Sequence, residues 1–211
     1  MSRVRRMSSG EPRTQRIRAG GRSEIVRQTV ATTVLEMLRQ GNSAFSVAEV
    51  AKRAGIHRST VYRWWPTRLE LIKEALTLHT ARLVVPDTGS WATDIDALTR
   101  ELAEFFSDPV EAAMNAVLAS DRDSEVAKTQ REHWAPILRD LSRVVDRAKA
   151  RGEVRDDVNP RFVLEIIVGP LLLNTTFGHN EIGPTAIDAI ADLVTNAFST
   201  AGSAAGTEVG R

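Results

Sequence analysis

The chain has 211 residues, 42% hydrophobic and 26% charged, a globular balance that excludes global disorder and fibrous repeats, and its lack of cysteine excludes disulfide scaffolds, thiolate metal sites and cysteine nucleophiles. The net charge of +1 conceals a polarised chain: residues 1–68 carry 14 basic side chains against 4 acidic ones, and residues 69–211 carry 14 against 23. A basic segment of that size is attracted to polyphosphate and an acidic one is repelled, so the N-terminal third is expected to meet nucleic acid.

Residues 1–21 hold Arg, Ser, Gly and Pro with almost no large apolar side chain, too little to offset ordering entropy, and are expected to form a disordered basic arm. The arm is either an inert tail or a DNA-touching one. It lacks the apolar stretch of a secretory signal, so a cytoplasmic protein is expected. From Ser23 the apolar residues recur at helical spacing through Ile25, Val30, Val34, Met37 and Leu38 until Gly41 stops the pattern. Ser46 and Glu49 have the spacing of a capping box and predict a second helix from Ser46 to about Ala54. Gly55-Ile56-His57 makes a turn, and Arg58 to Trp65 a short helix ended by Pro66.

A fourth helix is predicted from Leu69 to about Val84, a fifth from Thr93 through Phe106, and a sixth from Pro109. Ser124 to Arg151 reads as a long amphipathic stretch that Pro136 kinks or splits and Gly152 ends. Asn159-Pro160 opens a helix over residues 160–177 that is apolar nearly all round, yet its longest apolar run falls well short of a membrane span, so no membrane partner is expected. The last helix spans Thr185 to Thr200, and residues 201–211 are expected to be a disordered tail. No segment alternates like a strand, and the fold class is all-α with about nine helices.

Ser46 to Trp65, two short helices joined by a glycine turn, form a helix-turn-helix. Ala51 suits the helix crossing, Gly55 the turn, and Val61 the apolar anchor. Arg58, Ser59, Thr60, Tyr62 and Arg63 then face outward. Arg58 and Arg63 can grip guanine with a bidentate fork, whereas Arg68 at a helix start suits phosphate. The candidate DNA-binding residues are Ser46, Arg58, Ser59, Thr60, Tyr62, Arg63, Trp64 and Arg68.

Residues 22–76, above all the run from Ala51 to Ile72, resemble the DNA-binding domain of the tetracycline-repressor (TetR) family. By that resemblance Tyr62 contacts a phosphate, Trp65 is a buried aromatic, and Arg68 takes the place of the family's phosphate-binding Lys. His57 departs from the Ser that usually caps the recognition helix, and Trp64 from the usual His, Tyr or Arg. Ala150-Arg151-Gly152-Glu153-Val154 before an Asn-Pro helix start is similar to the C-terminal domains of one subgroup of the family. The resemblance implies a DNA-binding domain over residues 22–68, an effector-binding and dimerisation domain over residues 69–200, and a ligand-responsive repressor.

Aromatic and Met residues on successive helices suggest where a small apolar effector would bind: Phe105, Met114, Leu118, Trp134, Leu138, Phe162 and Ile166, with Asn115, His133 or Asn174 as polar contacts. His133 and His179 lack metal-ligand spacing and are expected at the surface; no metal, cofactor or catalytic residue is expected. The apolar helix over 160–177 must bury a second face, so a homodimer is expected through Ile167, Leu171, Ile187, Ile190, Val194 and Phe198, with a near-palindromic double-stranded operator. Two other classes compete. A di-iron helical enzyme needs Glu-x-x-His pairs, which are absent, and no phosphate-loop or nucleophile-elbow motif is present. An architectural protein coating DNA without sequence preference is the remaining alternative.

Overall fold

The computed structural model describes residues 19–121, 123–175 and 182–200. These form helices α1 (Ala19–Arg39), α2 (Val47–Ala54), α3 (Arg58–Trp64), α4 (Arg68–Thr80), α5 (Trp91–Phe106), α6 (Pro109–Ser120), α7 (Glu125–Ala150), α8 (Pro160–Leu173) and α9 (Pro184–Phe198). The fold is all-α; among the described residues the extended backbone contributes a single antiparallel bridge, Val154 with Ser199. The arm and the tail expected at residues 1–21 and 201–211 lie outside the described residues, apart from the start of α1.

Two apolar cores organise the helices. The first joins Val34, Met37 and Leu38 of α1, Val50 and Ala51 of α2, Val61 and Trp65 at α3, and Leu71, Ala75 and Leu76 of α4. It also takes in Val110 and Met114 of α6, so the C-terminal part of the chain packs directly on the helix-turn-helix unit. The second joins Ile95, Leu98 and Leu102 of α5, Leu141 and Val144 of α7, Leu164, Ile167 and Leu171 of α8, and Val194 and Phe198 of α9. Burying each such side chain is worth about 1.5–3 kcal/mol. The division expected at residue 68 therefore crosses an apolar surface: α4 lies after it in sequence and inside the first core in space.

Several helix ends differ from expectation for identifiable reasons. The first helix begins at Ala19 rather than Ser23; Gly20 and Gly21 have low helix propensity and mask its start. The Ser46 hydroxyl accepts from the Glu49 amide at 3.1 Å, but the reciprocal half of the capping box is missing because the Glu49 carboxylate accepts from Asn42. The complete box lies instead at Thr67 and Glu70, opening α4. That helix stops at Thr80, four residues early, as Arg82 turns to ion-pair with Asp108 at 3.2 Å and lies over the Phe105 ring. Ser90, not Thr93, caps α5. Pro136 does not split α7, which runs unbroken from Glu125 to Ala150 with Trp134, Ile137 and Leu138 packed on the second core. Helix α8 ends at Leu173, and residues 176–177 of its expected extent lie outside the described residues. At its start the Asn159 side chain accepts from the Arg161 amide, as the Asn-Pro pair implies.

Candidate DNA-binding surface and effector cavity

The α2–α3 turn is built on Gly55, whose φ of 67° lies in the left-handed region that a side chain disfavours. Its amide donates to the Lys52 carbonyl at 3.3 Å and the next amide, of Ile56, to Ala51 at 3.1 Å, the paired bonds of a Schellman stop. Ala51 is buried where α2 meets α3, and Val61 pins α3 to the core with no exposed surface. The sides of α3 are thereby fixed: Arg58, Ser59, Tyr62 and Arg63 are exposed and Thr60 is half-buried. Trp65 is buried, with its indole N–H donating to the Glu74 carboxylate at 3.0 Å. Arg58 lies over the Tyr62 ring, 5.1 Å from its centroid, and donates to its hydroxyl. Arg63 has no hydrogen bond or ion pair to another described residue in the structure.

Two expected DNA contacts, Trp64 and Arg68, are held by the protein itself, and the cap position of α3 is filled by His57 without a cap bond. Trp64 is half-buried, flanked by the Trp65 ring and covered by the Arg27 guanidinium at 5.6 Å, so it supports α3 more than it faces outward. Arg68 donates to the Ser43 carbonyl at 2.7 Å, which ties the start of α4 to the α1–α2 loop. The His57 side chain makes no cap bond; its ring instead pairs with the Ser59 hydroxyl at 2.8 Å.

A cavity of about 190 Å³ lies between four helices of the C-terminal part. Its apolar wall includes Leu102 and Phe106 of α5, Trp134, Leu138 and Leu141 of α7, and Leu172 of α8, with the Phe106 and Trp134 rings stacked at 17°. Its polar groups are Glu111 and Asn115 of α6 and Gln130 of α7. Of the effector residues expected from sequence, Trp134 and Leu138 line this cavity, as does the polar candidate Asn115. Phe105 is one layer behind, buried edge-on to Trp134. Met114 belongs to the first core, because the turn of α6 aims it at α1 and α4. Ile166 packs on the second core, and Phe162 is 52% exposed beside a separate groove with Arg155 and Phe198. The Leu118 side chain lies outside the described residues, as does His179. Phe106, weighed as core packing or as part of a helix lining an effector cavity, lines it, whereas sequence reasoning missed Glu111 and Gln130. One signal existed, since Glu111 is the sole charged residue in α6.

Polar contacts join α4 to this region. His79 Nε2 lies 3.1 Å from Glu111 Oε1 with both side chains 1% exposed, at an angle that makes no hydrogen bond. Thr80 pairs with His133 Nε2 at 2.9 Å; this ring is half-buried, not at the surface as expected, and burial pushes it below its ordinary value. Asp108 receives Arg39 of α1 and Arg82 beyond α4. Burial pushes its carboxyl upward, but the Arg39 hydrogen bond and the Val110 amide outweigh that and hold it below the usual range.

The expected dimer residues divide. Ile167, Leu171, Val194 and Phe198 are buried in the chain's own second core, and Ile187 and Ile190 are half-buried against it. The apolar periodicity was real, but it marks the inward face. The outward face of α8 and α9 carries Gly169, Leu173, Ala186, Ala189, Leu193 and Ala197, all exposed, with Leu173 and Leu193 above 60%. No described helix is long and apolar enough to cross a membrane, and no described cluster of His, Asp and Glu could hold a metal.

A glycine-turn helix pair, seated on one core and bearing basic outward side chains, defines a helix-turn-helix DNA-binding protein. Residues 29–64 match the IclR helix-turn-helix domain, and residues 85–194 match the model described as the tetracyclin repressor-like C-terminal domain. The chain belongs to the TetR family of transcriptional regulators, which are not enzymes. It is 31% identical to the HTH-type transcriptional regulator AqdR of Rhodococcus erythropolis over 157 residues, 74% of this chain and 75% of that one. Its identity to the DNA-binding transcriptional repressor TetR of Mycobacteroides abscessus is 30% over 155 residues, covering 71% and 80%. The crystal structure of a TetR family transcription regulator, 21% identical, shares the fold with a TM-score of 0.64 over 81% of this chain and 97% of that one.

Proposed function

We propose that this DNA-binding regulator is a cytoplasmic, homodimeric repressor that recognises a near-palindromic operator and is released from it by a small molecule held in the cavity between α5, α6, α7 and α8. Arg58, Ser59, Thr60, Tyr62 and Arg63 read the major groove and its flanking phosphates. Ser46 and Arg68 serve phosphates, and Trp64 holds α3 in place. The Ser46 hydroxyl accepts from Glu49 and keeps its proton for a phosphate oxygen. Two copies join through the exposed Gly169, Leu173, Ala189 and Leu193 face of α8 and α9, where small residues allow close approach.

The observation that carries the ligand-release reading is the position of Glu111. It lines the cavity and also touches His79 of α4, the helix that begins beside the helix-turn-helix at Arg68. A ligand that repositions Glu111 shifts α4 and, with it, the spacing of the two recognition helices. Such a ligand acts only if it prefers the non-binding arrangement. Operator affinity measured with and without a panel of small ring compounds tests this. Compounds that raise thermal stability should weaken operator binding about 5- to 150-fold, and stabilising ligands that never alter operator affinity would contradict the reading.

A further inference from the structure

The cavity wall specifies more than an apolar guest. Glu111 is 1% exposed and Gln130 is 2% exposed; Gln130 Oε1 receives no hydrogen bond, and Glu111 Oε1 has His79 Nε2 at 3.1 Å in a geometry that makes none. Asn115 Nδ2, also at the cavity, has no acceptor. Leaving Gln130 Oε1 and Asn115 Nδ2 buried without a partner is unfavourable, and a bound partner recovers that cost. The amide oxygen of Gln130 only accepts, so a ligand that satisfies it has to bring a donor to the wall it shares with Glu111. Phe106 and Trp134, stacked on one another, give the cavity an aromatic lining that suits flat and cationic groups. A cavity of about 150 Å³ accepts benzene, so about 190 Å³ suits one or two rings.

We propose, resting on the reading of this cavity as the effector site, that its ligand is a flat one- or two-ring nitrogen compound presenting a protonated amine or N–H donor to Glu111 and Gln130. A carboxylate-bearing ligand of the same shape brings no donor for Gln130 Oε1 and is disfavoured beside Glu111.

The test uses three two-ring probes that differ in charge: 4-aminoquinoline, cationic at neutral pH, naphthalene, neutral, and 1-naphthoate, anionic. Calorimetric titration of the full chain without DNA should give 4-aminoquinoline an affinity at least about tenfold above naphthalene, with 1-naphthoate weakest. Glu111→Gln should erase the preference for the cation while retaining naphthalene. Because Glu111 also meets His79, the near-isosteric Gln130→Met serves as a second variant and should reduce the preference several-fold. Equal or tighter binding of 1-naphthoate, a cation preference unchanged in both variants, or failure of 4-aminoquinoline to bind at all would overturn the proposal. Selective cation binding that leaves operator affinity unchanged would uphold the ligand class and defeat the release reading instead.

Discussion

Arg63 and Arg68 lie five residues apart and differ in what holds them. Arg63 is exposed on α3 without a protein partner among the described residues, whereas Arg68 is anchored to the Ser43 carbonyl. Arg63→Ala should lose discrimination at one or two base pairs, worth about 1–3 kcal/mol, while Arg68→Ala should weaken binding to all sequences alike and lower its salt dependence. Titrating each variant against operator and scrambled DNA at several salt concentrations separates the two effects. His133 gives a pH signature at the same scale. Burial lowers its ring below the ordinary value, so the fold favours the neutral form. That contribution is present above the unfolded value near pH 6.5 and is lost as pH falls through the lower folded value. Thermal unfolding from pH 8 to pH 5 should show this loss, and His133→Gln, which can still bond Thr80, should flatten it.

At the scale of the element, the signals legible in sequence are the local ones. Gly55, Val61 and the Asn159-Pro160 start act through neighbours a few residues away, and each does in the structure what its spacing implies. The Thr67–Glu70 box has the same local spacing as Ser46–Glu49; only the latter is left half-open, with Asn42 donating to the Glu49 carboxylate, a competition invisible in the motif itself. The cavity was legible only in part. Trp134 and Leu138 declare themselves by type, but Met114 and Phe106 differ in destination through the direction of their helices. His79 and Glu111 meet across 32 positions of sequence, a pairing that no spacing encodes. Two substitutions check the elements by chemical denaturation. Thr67→Ala should cost about 1 kcal/mol through the lost cap of α4, and Gly55→Ala about 1–2 kcal/mol through its left-handed backbone.

For the whole molecule, the charge split and the packing act together. The basic helix-turn-helix unit rests on α4 and α6, and the acidic remainder keeps the rest of the chain off the phosphates. The inward stripe of α8 and α9 fills the second core and leaves their Ala, Gly and Leu face exposed, the face proposed to join a second copy. Leu193→Glu on that outward face should yield a monomer in sedimentation, with its unfolding midpoint little changed at low protein concentration. The same charge at Val194, which is fully buried, should unfold the chain instead. Such a monomer should still carry an intact recognition helix but bind half a site with much reduced affinity.

The most direct measurement is selection of bound fragments from randomised double-stranded DNA by the full chain, followed by sequencing. A sequence-specific dimer of helix-turn-helix units should enrich a near-palindrome whose half-sites are centred about 34 Å apart, one turn of the duplex. Enrichment of no sequence, with uniform coverage of the pool, would contradict the account and leave an architectural DNA-coating protein in its place.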